Sequence, residues 1–382
     1  MIAFGIPIVL LQLIVLPIVG NVLGEIEYGR AITFISFSTL CSVPLGNVLN
    51  NVRLLNNETY IEEKVSGDFN LLLSVNTIMN IGLMITGSIF YQNTIFGTVL
   101  LILFSSLNLL REYLLVAFRI TLNYKNILFN NIFLGAGYLL GLLLFLLFGY
   151  WELIYLIGNA MSILFIIHKS NILREGIHKT KLFRNTSMQM IILLVAMFLN
   201  TSLNYVDKLL IYPLMGASAV TIYYSASLMG KLVSMLISPL SNVLLSYVVK
   251  VNISKKFNNL KLLFFLFIFG TIGYGATLII SDPLMKILYF NWYEEAMRLI
   301  PITNLTAVFT AITAVLNTLI LRFKNVFWQL NINIITLLLY LVLSITFYNI
   351  GGLYGFAFGV LTATGLKLLI TCMIFLFIKN ED

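Results

Sequence analysis

Apolar runs of about twenty residues recur along the whole chain, and they leave it few ways to fold. A helix needs roughly that length to cross a hydrocarbon core. Backbone groups inside lipid must be satisfied within a helix or a closed barrel. The runs lack the apolar–polar alternation of barrel strands, so they are predicted to be helices. Of the 382 residues, 60% are hydrophobic and only 10% charged, where a soluble domain carries roughly 25%. The expected fold class is an all-α polytopic membrane protein.

Hydropathy places about twelve transmembrane helices, near 2–22, 31–52, 70–91, 95–118, 127–148, 151–168, 187–211, 219–248, 262–281, 299–321, 326–348 and 353–378. The span 219–248 is long enough to tilt or to extend beyond the membrane. Only Gly149 and Tyr150 separate the fifth and sixth spans. The first run starts at Ile2 with no basic region before it and no small-residue cleavage pattern after it, so no signal peptide is expected. The missing basic segment is unusual and points to a start lying upstream or a slight truncation.

Loop charge supplies the orientation. With the amino terminus cytoplasmic, the inner segments are 53–69, 119–126, 169–186, 249–261, 322–325 and 379–382, and they hold sixteen Lys and Arg. The outer loops hold only Arg30, Lys286 and Arg298. That asymmetry predicts twelve spans with both termini cytoplasmic. It also accounts for the net charge of +8 without a nucleic-acid partner. Cys41 and Cys372 both fall inside apolar runs and imply packing rather than a disulfide. Two histidines, His168 and His178, beside charged loop residues suggest no metal site.

The longest strongly basic stretch, Lys169 to Arg184, falls near the middle of the chain. It divides the sequence into an N-terminal six-helix lobe (1–168), a cytoplasmic basic linker (169–186) and a C-terminal six-helix lobe (187–382). Span two contains Pro44-Leu45-Gly46-Asn47-Val48-Leu49 and span eight Pro239-Leu240-Ser241-Asn242-Val243-Leu244. The same offset sets Tyr28 on Tyr223, and Pro17 falls on Pro213 with one residue of slippage. Two lobes of six spans both start inside, so the expected repeat is parallel.

Ionisable residues inside spans are costly in lipid and usually face a bundle interior or an aqueous cavity. Beyond the first and last residues of each span they are Arg111, Glu112, Asp207, Lys208, Lys231 and Lys367. In span eight, Ser227, Lys231, Ser234 and Ser238 recur on one helical face. Such a stripe suits the wall of a water-filled route, although serine also makes helix–helix seams. Span twelve sets Thr364, Lys367 and Thr371 on a face, and span four carries Asn108, Arg111 and Glu112. Arg111 either faces the cavity or snorkels toward the inner surface. Asp207 and Lys208 are adjacent, about 100° apart on the helix, so they are expected not to face each other. Asp207 then either pairs with Lys231 or lies with Lys208 at the outer surface. Arg53, ending span two, is a surface anchor or meets a headgroup entering from the inner leaflet. Buried cations need counter-ions, and of these six residues only Asp207 and Glu112 are anionic. The surplus suggests that the missing anion is the cargo, and a pyrophosphate would accept charge-assisted hydrogen bonds from Lys and Arg. Asp207 and Glu112 are ion-coupling candidates, and Pro44 and Pro239 are hinges or static kinks. No Walker loop, paired-histidine motif or long hydrophilic domain is found, so no enzyme, cofactor or nucleotide site is expected.

Leu23-Gly24-Glu25-Ile26-Glu27-Tyr28-Gly29 resembles the LG-x-x-x-[YF]-G signature that follows the first helix of polysaccharide flippases. The stretch from Asp207 through Gly216 and Tyr223 to Pro239 resembles the seventh and eighth helices of that family. Asp282 to Leu299, with Ile287-Leu288-Tyr289 and Glu295-Ala296, resembles the segment before its tenth helix. These are the Wzx-type O-antigen and capsule flippases of the multidrug/oligosaccharidyl-lipid/polysaccharide exporter superfamily.

The resemblance implies a two-lobed transporter of the bacterial cytoplasmic membrane. It implies a cargo of undecaprenyl-pyrophosphate-linked oligosaccharide, flipped from inner to outer leaflet by alternating access. A polysaccharide polymerase and a chain-length regulator are the implied protein partners, beside the glycan and membrane lipids. Helices one, two, seven and eight line the cavity in the superfamily. That makes Arg53, Lys208 and Lys231 candidates without fixing them residue by residue. The chain departs from the family in its nearly absent N-terminal segment, and its length leaves no room for the two extra helices of the lipid II flippase branch. Two other readings stay open. A multidrug/cation antiporter of the same superfamily would favour buried carboxylates. A membrane-embedded polysaccharide polymerase would favour a large, arginine-bearing outer loop, and the largest here, 282–298, holds one lysine and one arginine.

Overall fold

A computed structural model describes residues 2–232, 259–323 and 326–376. Among them the chain is helical with no strand, and ten helices are long and apolar enough to cross a membrane. They are α1 (Gly5–Leu23), α2 (Glu25–Glu62), α3 (Asp68–Phe90), α4 (Ile95–Ile120), α5 (Tyr124–Phe148), α6 (Glu152–Lys169), α7 (Phe183–Ala226), α8 (Leu260–Leu288), α9 (Phe290–Ile320) and α10 (Leu330–Leu376). Large apolar side chains such as Ile78, Leu147, Phe264 and Ile279 remain exposed along them, as contact with hydrocarbon requires.

The twelve expected spans map onto these ten helices. α10 holds the last two, joined at the non-helical pair Gly351 and Gly352. α7 holds the seventh span and the beginning of the eighth, joined at Gly216. The rest of the eighth, with Ser234, Ser238 and the hinge candidate Pro239, lies outside the described residues. Gly149 caps α5 and separates it from α6 in the way the sequence suggested.

The joint between spans one and two is a single glycine in the left-handed region, Gly24 with φ +79°, and the joint between seven and eight is Gly216 with φ +84°. A side chain there would meet the following carbonyl, at a cost of roughly 1–2 kcal/mol, whereas glycine has no Cβ. The same device at both joints is a second parallel between the halves, beside the two proline-led hexapeptides.

Helices outrun their hydropathy. α2 continues to Glu62, although 53–69 was expected as a loop. At 1.5 Å per residue its 38 residues span about 57 Å, beyond a hydrocarbon core of about 30 Å. The polar extension is held by tertiary bonds: Tyr60 donates to Asp68 Oδ2 at 2.7 Å and pairs with Thr186 Oγ1 at 2.8 Å. Likewise the expected outer loop 282–298 is mostly helix, with α8 running to Leu288 and only a 3₁₀ turn, Phe290–Trp292, before helix resumes at Tyr293.

Two compact units divide the chain: Met1–Val22 with Arg30–Pro213, and Leu23–Gly29 with Leu214–Asp382. The basic stretch 169–186 lies inside the first unit. Buried amides tie the spans of this unit together. Asn76 donates to the Leu45 carbonyl at 2.9 Å beside Pro44, through which α2 runs as helix. Ser105 donates to Asn80 at 2.9 Å, Asn108 to Ser42 at 2.8 Å and Ser162 to Asn130 at 2.8 Å. α5 and α6 approach closely through glycines. A Cβ on Gly141 would lie 2.5 Å from Ile154 Cα, and one on Gly137 would lie 2.7 Å from Gly158 Cα, in the small-residue packing that membrane helices use. Gly141→Ala should therefore lower the thermal midpoint of the purified protein by the equivalent of about 1–3 kcal/mol. Gly82→Ala, where a Cβ meets nothing within 4 Å, should leave it unchanged or raised. In the second unit Leu263, Val308, Ile312, Leu316, Leu368 and Phe375 form a core shared by α8, α9 and α10.

Candidate functional site

The cationic candidates fall into two groups, one in each unit. Arg53 sits on the extended part of α2 and is 8% exposed. Its Nη1 donates to the Tyr113 hydroxyl at 2.6 Å, its Nη2 to the Glu175 carboxylate, and its guanidinium lies 5.0 Å from the centre of the Phe69 ring. It is thus buried and paired rather than a surface anchor. Burial follows from the length of α2, which carries position 53 into a packed cluster with Tyr113, Phe69 and the 169–186 stretch.

Arg111 pairs with the adjacent Glu112. The same turn is braced from α2, because Asn50 Nδ2 donates to the Glu112 carbonyl at 2.7 Å. Arg119 reaches back to Asn50 Oδ1 and Asn51 Oδ1, at 2.6 and 2.9 Å.

Asp207 and Lys208 overturn an expectation. Their Cβ atoms leave the helix about 100° apart, yet the Lys208 ammonium pairs with the Asp207 carboxylate and also donates to the Asn204 carbonyl at 3.0 Å. The four-carbon lysine stem bends back along the helix, and burial of both residues, 7% and 4% exposed, makes an unpaired arrangement costly. Neither residue lies at an exposed surface.

The second unit holds the other group. The Lys367 ammonium donates to the side-chain oxygen of Asn333, on the preceding span, at 3.1 Å, and it makes no ion pair among the described residues. Thr364 and Thr371, expected on its polar face, donate to their own helix, at the Val360 and Lys367 carbonyls. The Lys231 ammonium lies 3.6 Å from the centre of the Tyr224 ring, within cation–π range. Ser227, one turn before it, donates to the Tyr224 carbonyl at 2.8 Å.

Residues 23–29 acquire a physical meaning in this unit. After the left-handed Gly24, Glu25 accepts from Ser218 through its carboxylate and from Thr221 Oγ1 through its carbonyl, the latter at 2.6 Å. Tyr28, fully buried, stacks on Trp292 at 5.9 Å and pairs with the Tyr289 hydroxyl at 2.9 Å. Trp292 Nε1 in turn donates to Ser225 at 2.9 Å. Gly29 passes so close to the Ala217 carbonyl that a Cβ would lie 1.8 Å from its oxygen. The glycine, tyrosine and glycine of the signature supply a joint, an aromatic anchor and a close backbone approach.

Sequence reasoning missed Glu175, Tyr224, Asn333 and the buried asparagines Asn76, Asn80 and Asn130. The asparagines carried a usable signal, since an amide inside an apolar run needs an internal partner. Glu175, in a solvated linker 122 residues from Arg53, carried none.

No family model matches the chain, and no curated protein sequence is similar to it. Its fold, however, is found among solved structures. The lipid II flippase MurJ in an inward closed conformation has a TM-score of 0.74 at 16% identity, over 98% of this chain and 86% of that one. An inward-facing multidrug resistance transporter of the MATE family, in the MOP superfamily, gives 0.72 at 12% identity, over 97% and 96%. The Vibrio cholerae MATE transporter VcmN in its bent form gives 0.56 at 10% identity, over 98% and 95%. At these identities the shared property is the fold alone.

Proposed function

We propose that the chain is a flippase that carries undecaprenyl-pyrophosphate-linked oligosaccharide repeat units from the inner to the outer leaflet of the bacterial cytoplasmic membrane. The observation that carries this reading is Lys367. An ammonium half-buried in a membrane helix and met by an amide oxygen, rather than by a carboxylate, is suited to an anion that comes and goes. A pyrophosphate would accept charge-assisted bonds from it. Lys231 over the Tyr224 ring adds a second cation in the same unit. Arg53, Arg111 and Lys208 are further headgroup contacts, each with a carboxylate that the cargo would have to replace. The likeness to a lipid II flippase fold agrees with a lipid-linked cargo, and the LGEIEYG segment agrees with the polysaccharide branch. Transport proceeds by alternating access with the polyprenyl tail in lipid. Pro44 and Pro239 are the hinge candidates, and Asp207 and Glu112 the ion-coupling candidates. A polymerase and a chain-length regulator act on the exported units.

A cationic drug as cargo is disfavoured by Glu112 and Asp207, each of which is already neutralised by a neighbouring cation. Deleting the gene in its host should leave lipid-linked oligosaccharide in the inner leaflet, measured by the accessibility of the glycan to a membrane-impermeant lectin in spheroplasts. Accumulation of short, exported, unpolymerised units would instead identify a polymerase.

A further inference from the structure

Residues 173–182 are strapped across the ends of α2 and α3. The Thr180 amide and hydroxyl both donate to Asp68, the amide at 2.7 Å. Asn70 Nδ2 donates to the Glu175 carbonyl at 2.6 Å. Lys181 pairs with Glu63 on the exposed side. At Gly67, with φ +114°, a Cβ would lie 2.7 Å from the His178 ring, so the strap passes directly over the turn. This anchoring is complete without the Glu175 side chain, whose carboxylate reaches inward to Arg53.

The Arg53–Glu175 contact is an incomplete use of the guanidinium. Nε and Nη2 form the side-on fork that carboxylates and phosphates grip with two oxygens. Glu175 takes Nη2 through one oxygen, while Nε is buried and has no partner among the described residues. The rest of the environment is built for a fixed cation. Tyr113, fully buried, holds Nη1, and the Phe69 ring lies against the guanidinium. The Glu175 side chain is 24% exposed against 9% for Arg53, so the carboxylate is the displaceable member of the pair.

We infer that Arg53 is an anion subsite for a phosphate-bearing headgroup, and that the linker carboxylate Glu175 occupies it until the anion displaces it. The inference rests on the cargo being an anionic pyrophosphate. A phosphate oxygen pair would engage both Nε and Nη2, completing the fork and releasing Glu175 to water. The linker then acts as an internal competitor, which lowers the apparent affinity by the fraction of time the fork is occupied.

The test uses the purified full-length protein in nanodiscs, with inorganic pyrophosphate and farnesyl pyrophosphate as probes, read by calorimetric titration. Glu175→Gln keeps the side-chain size and removes the charge, and should tighten pyrophosphate binding by about tenfold. Glu175→Ala should gain at least as much. Glu63→Gln removes the same charge from the contact between strap and α2 but not at Arg53, and should leave affinity unchanged. Adding Arg53→Gln to Glu175→Gln should abolish the gain. A gain for farnesyl pyrophosphate at least equal to that for inorganic pyrophosphate identifies a lipid-linked headgroup. A gain confined to inorganic pyrophosphate keeps the anion subsite and removes the lipid-linked cargo from it. No gain for either probe in both Glu175 variants, or an equal gain in Glu63→Gln, would overturn the inference.

Discussion

Lys367→Ala is expected to cut glycan export by about 10- to 100-fold while the protein remains in the membrane at wild-type abundance. The magnitude is that of losing a charge-assisted hydrogen bond to a phosphate oxygen, about 1.5–3 kcal/mol, with tenfold per 1.4 kcal/mol. Lys367 is bonded to Asn333, so truncation could also act through packing. Lys367→Gln separates the two, because it keeps a donor for Asn333 and removes only the charge. If the ammonium meets the cargo, both variants lose export together. If Lys367 only joins two helices, Lys367→Gln exports normally. Lys231→Ala should weaken export in the same direction through the cation held against Tyr224. Full export by both alanine variants would remove the cationic contacts from the proposed function. Export is measured as surface glycan per cell, with immunoblotting for abundance.

The second large effect is expected at Gly29. Any side chain there is driven into backbone, because its Cβ would stand 1.8 Å from the Ala217 carbonyl oxygen and 2.7 Å from Thr221 Oγ1. A flexible side chain can yield to such a contact, but a helix backbone yields only by moving as a whole. Gly29→Val should therefore destabilise the second unit by about 3 kcal/mol or more and lower membrane abundance several-fold. The displacement would also pull Tyr28 from Tyr289 and Trp292. Trp292 fluorescence should accordingly shift toward that of an exposed indole in any Gly29→Val protein that survives. Gly5→Ala, where a Cβ meets nothing within 4 Å, serves as the control. Wild-type abundance and an unchanged thermal midpoint for Gly29→Val would show that the close approach does not exist.

The sequence was most legible where lipid dictates the answer. A run of twenty apolar residues has one stable backbone solution in a membrane, so the spans, and even the narrow joint at Gly149, could be read directly. Helix ends were less legible, because hydropathy marks where a helix leaves lipid and not where it stops. The tail of α2 is polar, yet it stays helical because Tyr60 bonds to Asp68 and Thr186. Charge pairing was the least legible. Helical projection separated Asp207 from Lys208, but the lysine stem is long enough to cancel 100° of rotation. Arg53 found its counter-ion in a linker whose approach no local pattern encodes. The surplus of cations that first suggested an anionic cargo is consequently narrower than composition implied. Arg53, Arg111 and Lys208 are met by carboxylates, and an amide oxygen holds Lys367.

The central claim is that the chain moves an anionic lipid-linked glycan between leaflets. Reconstitution of the purified protein into proteoliposomes that carry a fluorescent undecaprenyl-pyrophosphate oligosaccharide tests it most directly, with dithionite quenching to report the leaflet. The expected result is protein-dependent transfer of the fluorophore between leaflets, reduced at least tenfold by Lys367→Ala. Transfer no faster than in empty liposomes, from a preparation that moves a cationic dye across the same membrane, would contradict it.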